Sequence, residues 1–279
     1  MVTTTDSVLR AGVAARGDEL RLTLDPRFSG LPDTAHGGSV LAAFHALAAQ
    51  AGPQQVHGVY RRRVPLGTPL RLTVAREDGH TGFRLFDAIG AVLVEGGVRA
   101  VAGAPSPATP AGDGGHPLPI SSTCFACGVD NALGLRARLH FDDERVWTRW
   151  TPGETAAGPD GTLAPVALTA LLDEAAFWLG ALASGESGMT TELEVTLNAP
   201  LAFGEPLVVT GARSRTRMRD GDRRFWHTEV AAADTSGHVV ASGRITFVAV
   251  RGAARRLVGG LLSLNSADIL RRVFPAYAV

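Results

Sequence analysis

Residues 65–76 read PLGTPLRLTVAR, and residues 200–213 read PLAFGEPLVVTGAR. Aligned from Gly67 and Gly204, the ten-residue segments GTPLRLTVAR and GEPLVVTGAR share six identities. The likeness extends both ways along the chain. Upstream, DELRLTLDP (18–26) parallels DERVWTRWTP (143–152), and downstream GAVLVEGGVRAVAG (90–103) shares its pattern with GHVVASGRITFVAV (237–250). Three matches in one order mark a duplicated unit.

Each copy follows one plan. A strand comes first, at roughly 19–24 in one copy and as a strand or hairpin within 135–150 in the other. An apolar helix follows, at about 37–51 and 165–183, and then four strands. Pro165 suits a first helical turn. Leu193, Val195 and Leu197 alternate with polar neighbours, the period of a half-buried strand. Asp220-Gly221 reads as a hairpin turn. The boundaries that follow are a first unit over 1–103, a Pro/Gly-rich linker over 104–120, a second unit over 121–250, and a tail over 251–279 with a short helix near 266–273.

Composition excludes several classes of function. A chain of 279 residues with 45% hydrophobic residues has ample core for two units. Its zero net charge argues against a general nucleic-acid or membrane-surface binder. All 27 basic residues are arginine, which suits phosphate contacts. Two cysteines make no disulfide scaffold, so a cytoplasmic location is expected. The N-terminus is too polar for a signal peptide, and no apolar run approaches membrane-spanning length by eye. No G-x-S-x-G elbow or P-loop is present.

Several residues carry a more specific likeness: His36-Gly37-Gly38 at the head of the first helix, Asp173-Glu174 in the second, the loop Cys124-Phe125-Ala126-Cys127-Gly128, and Asn131-Ala132-Leu133-Gly134-Leu135. With the P-L-x-x-G-x-P-L segment, the chain resembles a tandem (double) hotdog protein of the PaaI-like acyl-CoA thioesterase type. The resemblance implies an α+β fold: two units, each a long central helix wrapped by an antiparallel sheet, paired as a pseudo-dimer. It also implies an active site between units, with an HGG turn from one and a carboxylate, nine residues after the HGG position, from the other. Counting nine from His36 reaches His45, and counting nine back from Asp173 reaches Ala164-Pro165-Val166. The first copy has kept the turn and the second the acid, so one composite site is complete.

A helix N-terminus presents unpaired N–H groups and a favourable dipole to a carbonyl oxygen gaining negative charge. The expected roles are therefore Gly37 as polariser, His36 shaping the turn, and Asp173 as base or nucleophile. Thr191, in phase with Leu193, is expected to face the helix and assist. Gly38, Glu174, Arg215, Arg217 and His45 are the candidates for substrate contact; Arg213, Arg215, Arg217 and Arg219 alternate along an expected strand and share one face, which suits Arg215 and Arg217 to coenzyme A phosphates. His45 reads as a retired catalytic position. An asparagine that the family places upstream of HGG would fall near Gly30, which has no side chain to offer.

Cys124-x-x-Cys127 alone supplies two of the four ligands of a structural zinc site and reads as a structural loop, so no metal is assigned. The residues near Asp130-Asn131 lack the histidine of the hydratase signature. The expected substrate is an acyl-CoA or acyl-carrier-protein thioester, with coenzyme A present only as part of the substrate and no other cofactor. A homodimer of double-hotdog chains is compatible with the pattern. The competing reading is a non-catalytic protein that binds such thioesters, favoured by the missing asparagine.

Overall fold

The computed structural model describes residues 2–17, 19–103 and 110–277, so part of the linker expected over 104–120 lies outside the described residues. The first unit begins with a short helix α1 (Thr5–Ala11) and strands β1 (Val13–Arg16) and β2 (Glu19–Leu22). Helix α2 (Gly37–Ala48) and strands β3 (Gln54–Tyr60), β4 (Leu70–Glu77), β5 (His80–Phe86) and β6 (Val92–Ala100) complete it. The second unit follows with β7 (His116–Pro117), β8 (His140–Phe141), β9 (Arg145–Trp150) and helix α3 (Pro165–Ser184). It continues through β10 (Gly188–Leu197), β11 (Leu207–Ala212), β12 (Arg217–Arg219), β13 (Asp222–Asp234) and β14 (Val239–Ala249). Two tail helices, α4 (Ala253–Leu261) and α5 (Ala267–Val273), end the chain.

The duplication is visible in the strand order. Hydrogen bonding runs β2-β4-β5-β6-β3 in the first unit and β10-β14-β13-β11-β9 in the second, mirror-related about the β3–β10 seam. That seam is antiparallel, with Val56 opposite Val195, and joins both units into one 14-stranded sheet. Val56, Leu193 and Val195 all turn their side chains into the core. Each unit's helix lies against its own strands, α2 on β3 and β6, and α3 on β10, β11, β13 and β14.

The two central helices also pack on each other, and a glycine lets them. A Cβ at Gly38 would lie 2.4 Å from the Thr169 carbonyl oxygen and 2.6 Å from Ala170 Cα. Thr169 Oγ1 donates back to the Gly38 carbonyl at 2.8 Å, tying the crossing point. This close crossing brings the N-terminus of α2 beside the middle of α3.

Three features depart from the sequence reading. Helices α1 and α4 were not anticipated; both are short and pack on the units rather than belonging to the repeat. Helix α2 stops at Ala48 because Ala49 adopts φ 51°, ψ 37° and ends the turn. Helix α3 does reach membrane-spanning length, with 20 residues, but 83% of its most apolar stretch is buried by the protein itself. It is the core helix of the second unit.

The crossing makes one substitution decisive. Gly38→Ala is expected to lower stability by about 1–3 kcal/mol, since backbone rather than a flexible side chain must yield. Urea denaturation measures this directly, with Gly259→Ala as control, because Gly259 has no heavy atom near its added Cβ. Equal effects from the two variants would contradict the close crossing.

Candidate active site

Helix α2 opens with His36 at the N-cap and no side chain capping its first turn. Its exposed amides find partners across the unit boundary. Gly38 N–H donates to Asp173 Oδ2 at 3.0 Å, a bond between residues 135 apart in sequence. A carboxylate at a helix N-terminus is favoured by both the free N–H groups and the macrodipole. Gly37 permits the approach, since a Cβ there would sit 2.8 Å from Asp173 Oδ2. The Gly37 N–H itself has no hydrogen-bond partner among the described residues, and Gly37 lines a cavity.

Asp173 is 5% exposed, so its remaining contacts decide what it can do. Thr190 Oγ1 donates to Oδ1 at 2.7 Å. His36 Nδ1 lies 3.2 Å from Oδ2, without an aligned hydrogen bond. The imidazole then turns its other nitrogen to the neighbouring acid, with Nε2 3.5 Å from Glu174 Oε2. Trp178 Nε1 donates to Glu174 Oε1 at 2.9 Å, and Cys124 Sγ lies 3.8 Å from Oε2. Burial alone would depress the His36 pKa; Glu174 and Asp173 outweigh it and raise it to about 9. Burial pulls Glu174 the other way, and the bond with His36 overcomes it and lowers its pKa.

The Cys124–Gly128 loop belongs to the second unit but docks on the first. Phe125 N–H donates to Ser29 O at 2.6 Å, and Ser29 Oγ to Thr123 O at 2.5 Å. Asn131 Nδ2 bridges Arg27 O at 2.7 Å and Thr123 O at 2.9 Å. Gly30 packs against His36, so closely that a Cβ at position 30 would lie 3.1 Å from the His36 Cα. The loop therefore closes over the turn that carries His36.

Tyr60 was not foreseen. Its hydroxyl donates to Gly37 O at 2.6 Å, and burial together with the Asp173 charge keeps it protonated, well above its usual pKa. No local signal in the sequence marks it. Thr190 was missed for a definable reason. The β10–β14 register shifts between Thr190 and Glu192, so a bulge moves the inward phase from Thr191 to Thr190. Thr191 lines the same cavity but gives its hydroxyl to Thr246 O at 3.0 Å.

The cavity occupies about 360 Å³ and contains His36, Gly37, Asp173 and Glu174 in its lining. Phe177, Met189, Leu257 and Leu261 supply apolar wall, the last two from α4. Exposed Arg61, Arg62, Arg63 and Arg256 also border it. Arg61 is held by Glu95 at 2.7 Å, whereas no ion pair engages Arg62, Arg63 or Arg256 among the described residues. Arg215 and Arg217 do not reach this cavity. The expected alternation breaks because 213–215 form a 3-10 turn, leaving Arg215 3.5 Å from Glu229 in a separate polar groove. Arg217 sits on the exposed strand β12.

The mirror-related cleft has a different chemistry. His45 lines a smaller cavity of about 140 Å³ with Pro165 and Val166, and with Asp6, Leu9 and Arg10 of α1. Pro165 stands where Gly37 does in the other cleft, and proline has no N–H to offer. Burial, with Arg10 nearby, lowers the His45 pKa, so the imidazole is neutral there. His45 is thus brought beside Ala164-Pro165-Val166, away from Asp173.

No family model and no curated protein matches the sequence. Solved structures do. A candidate thioesterase from Novosphingobium aromaticivorans is 19% identical, with a TM-score of 0.59 over 86% of this chain and 98% of that one. The tesB protein of Mycobacterium avium subspecies paratuberculosis is 14% identical, with a TM-score of 0.61 over 88% of this chain and 100% of its own. A hot dog fold protein of unknown function from Alicyclobacillus acidocaldarius is 11% identical, with a TM-score of 0.57 over 89% and 99%. Dehydratase domains match as well, that of RzxB from Pseudomonas fluorescens among them. At these identities the likeness concerns architecture, and on that ground the chain has the hotdog fold, carried twice in one polypeptide.

Proposed function

We propose that the protein is a thioester hydrolase acting on acyl-CoA, with one working site per chain between the two units. The observation that carries this reading is that Gly37, whose N–H has no hydrogen-bond partner among the described residues, and the Asp173 carboxylate line the same cavity. The thioesterases among the matched structures support the class of reaction. The thioester carbonyl oxygen faces Gly37 N–H, where the α2 dipole stabilises the charge that develops on it. Asp173 takes a proton from the attacking water. Both its oxygens already accept bonds, from Thr190 and Gly38, which favours its acting as an oriented base rather than as a free nucleophile. Collapse of the tetrahedral intermediate returns the carbonyl and expels the coenzyme A thiolate.

The cavity divides its labour by chemistry. Phe177, Met189, Leu257 and Leu261 suit an acyl chain. Arg62, Arg63 and Arg256, with no carboxylate partner among the described residues, suit the phosphates of coenzyme A in place of Arg215 and Arg217. A mobile carrier protein would have to present its phosphopantetheine past the same arginines, so acyl-CoA is the first substrate to test.

Release of free coenzyme A from a panel of acyl-CoA esters tests the reading. Asp173→Asn is expected to lower kcat by about 10²-fold or more, since a positioned base contributes on that scale. Thr190→Val is expected to lower kcat by about tenfold and leave KM within twofold, whereas Thr191→Val changes neither by more than about twofold. Unchanged turnover in Asp173→Asn would overturn the site. Binding of acyl-CoA without turnover on any chain length would instead identify a thioester-binding protein.

The phosphate contacts make a separate prediction. Arg62→Ala with Arg63→Ala is expected to raise KM for acyl-CoA about tenfold with kcat retained, the size of a lost hydrogen bond to a charged group. Steady-state kinetics on the coenzyme A ester and on a truncated N-acetylcysteamine thioester separates the cases. Only the coenzyme A ester should respond.

A further inference from the structure

The two cysteines stand beside more than each other. Cys124 Sγ is 3.8 Å from Glu174 Oε2, and that oxygen is 3.5 Å from His36 Nε2. The donor atoms of His36, Cys124 and Glu174 all fall within 4.8 Å of one another, and all three residues are buried. Cys127, the chain's other thiol, is buried on the same loop three residues on. Both cysteines are free thiols. Three ligand-type side chains therefore converge from three segments far apart in sequence, with the second cysteine on the loop that carries the first.

Zinc bound at about 2.0–2.1 Å to nitrogen or oxygen and about 2.3 Å to sulfur, in a tetrahedron, has ligand–ligand edges of roughly 3.3–3.8 Å. The two separations measured through Glu174 Oε2, 3.5 and 3.8 Å, have that size without any metal placed between them. The orientation of each ligand is also prepared. Trp178 holds Glu174 Oε1 at 2.9 Å and leaves Oε2 turned toward Cys124 and His36. His36 presents Nε2 to the cluster while Nδ1 lies 3.2 Å from Asp173 Oδ2, close enough for a small ring rotation to make the carboxylate–histidine bond that orients metal-bound imidazoles.

We propose that Cys124, Cys127, His36 and Glu174 form a zinc site. Two sulfurs, one imidazole and one carboxylate select a borderline-soft cation over magnesium or calcium. Binding displaces the two thiol protons and the proton on His36 Nε2. Four protein ligands leave no open position, so the ion is structural. It pins the Cys124–Gly128 loop and α3 of the second unit to the α2 turn of the first. Through His36 it also fixes the orientation of Asp173 without touching the substrate. The inference stands apart from thioester hydrolysis, because it concerns metal content.

The experiment uses the full chain, freed of any histidine tag and passed through gel filtration. Inductively coupled plasma mass spectrometry is expected to find about one zinc per chain. Wild-type protein stripped with a chelator and titrated with cobalt(II) is expected to show thiolate-to-cobalt charge transfer and the visible bands of a tetrahedral ion. Cys124→Ser with Cys127→Ser should lose both, and the wild-type titration decides the matter even where that variant does not fold. Less than about 0.1 zinc per chain together with no tetrahedral cobalt spectrum overturns the proposal. A Cys124–Cys127 disulfide in the freshly purified protein does the same. Hydrolysis by a chain that binds no metal removes the zinc site and leaves the enzyme reading standing; zinc without hydrolysis does the reverse.

Discussion

One backbone amide ties the molecule together at the point where it can act. Gly38 N–H, at the start of the first unit's helix, donates to Asp173 in the third turn of the second unit's helix. The bond exists only because the two helices cross closely enough for Gly38 to touch the Thr169 carbonyl. The crossing in turn depends on the β3–β10 seam, which fixes the two units as halves of one sheet. Asp173 satisfies the Gly38 amide, while the preceding one, that of Gly37, has no partner among the described residues and belongs to a residue that lines the cavity. A structural contact and a chemical opportunity thus occupy adjacent residues.

Pseudo-symmetry makes a second cleft, and the differences between the two are differences of chemistry rather than of shape. Proline at 165 removes the donor that Gly37 supplies. His45, neutral under burial, replaces the carboxylate. Helix α1 packs Leu9 and Arg10 into that cleft, while α4 brings Leu257 and Leu261 to the wall of the other. The termini of the chain treat the two clefts differently, one reduced and the other given an apolar wall and a basic mouth. The His36-Gly37-Gly38 turn thus lies in one copy and the Asp173 carboxylate in the other.

The architecture was largely legible in the sequence because a repeat carries it: the Gly67 and Gly204 segments anchor the alignment, and the nine-residue spacing pairs His36-Gly37-Gly38 with Asp173, residues that the structure brings into contact. Errors arose where backbone irregularity broke a simple period. A bulge after Thr190 reversed the inward phase on β10, and a 3-10 turn at Arg213–Arg215 ended the alternation that had put arginines on one face. Other features were invisible because they are long-range. Nothing near Cys124 in sequence announces His36 or Glu174, and nothing near Tyr60 announces the Gly37 carbonyl. Asp173 is held by Gly38 and Thr190, with His36 Nδ1 3.2 Å away, all from outside its own helix.

The central claim is that a single cleft, with Gly37 facing Asp173, receives the thioester. A crystal structure with an acyl-CoA analogue, in which a methylene separates sulfur from carbonyl and blocks hydrolysis, tests it most directly. The account expects one analogue per chain, its carbonyl oxygen within about 3 Å of Gly37 N–H, Asp173 beside the carbonyl carbon, and its phosphates near Arg62, Arg63 or Arg256. An analogue lodged between His45 and Pro165, or one bound in each cleft, would contradict it.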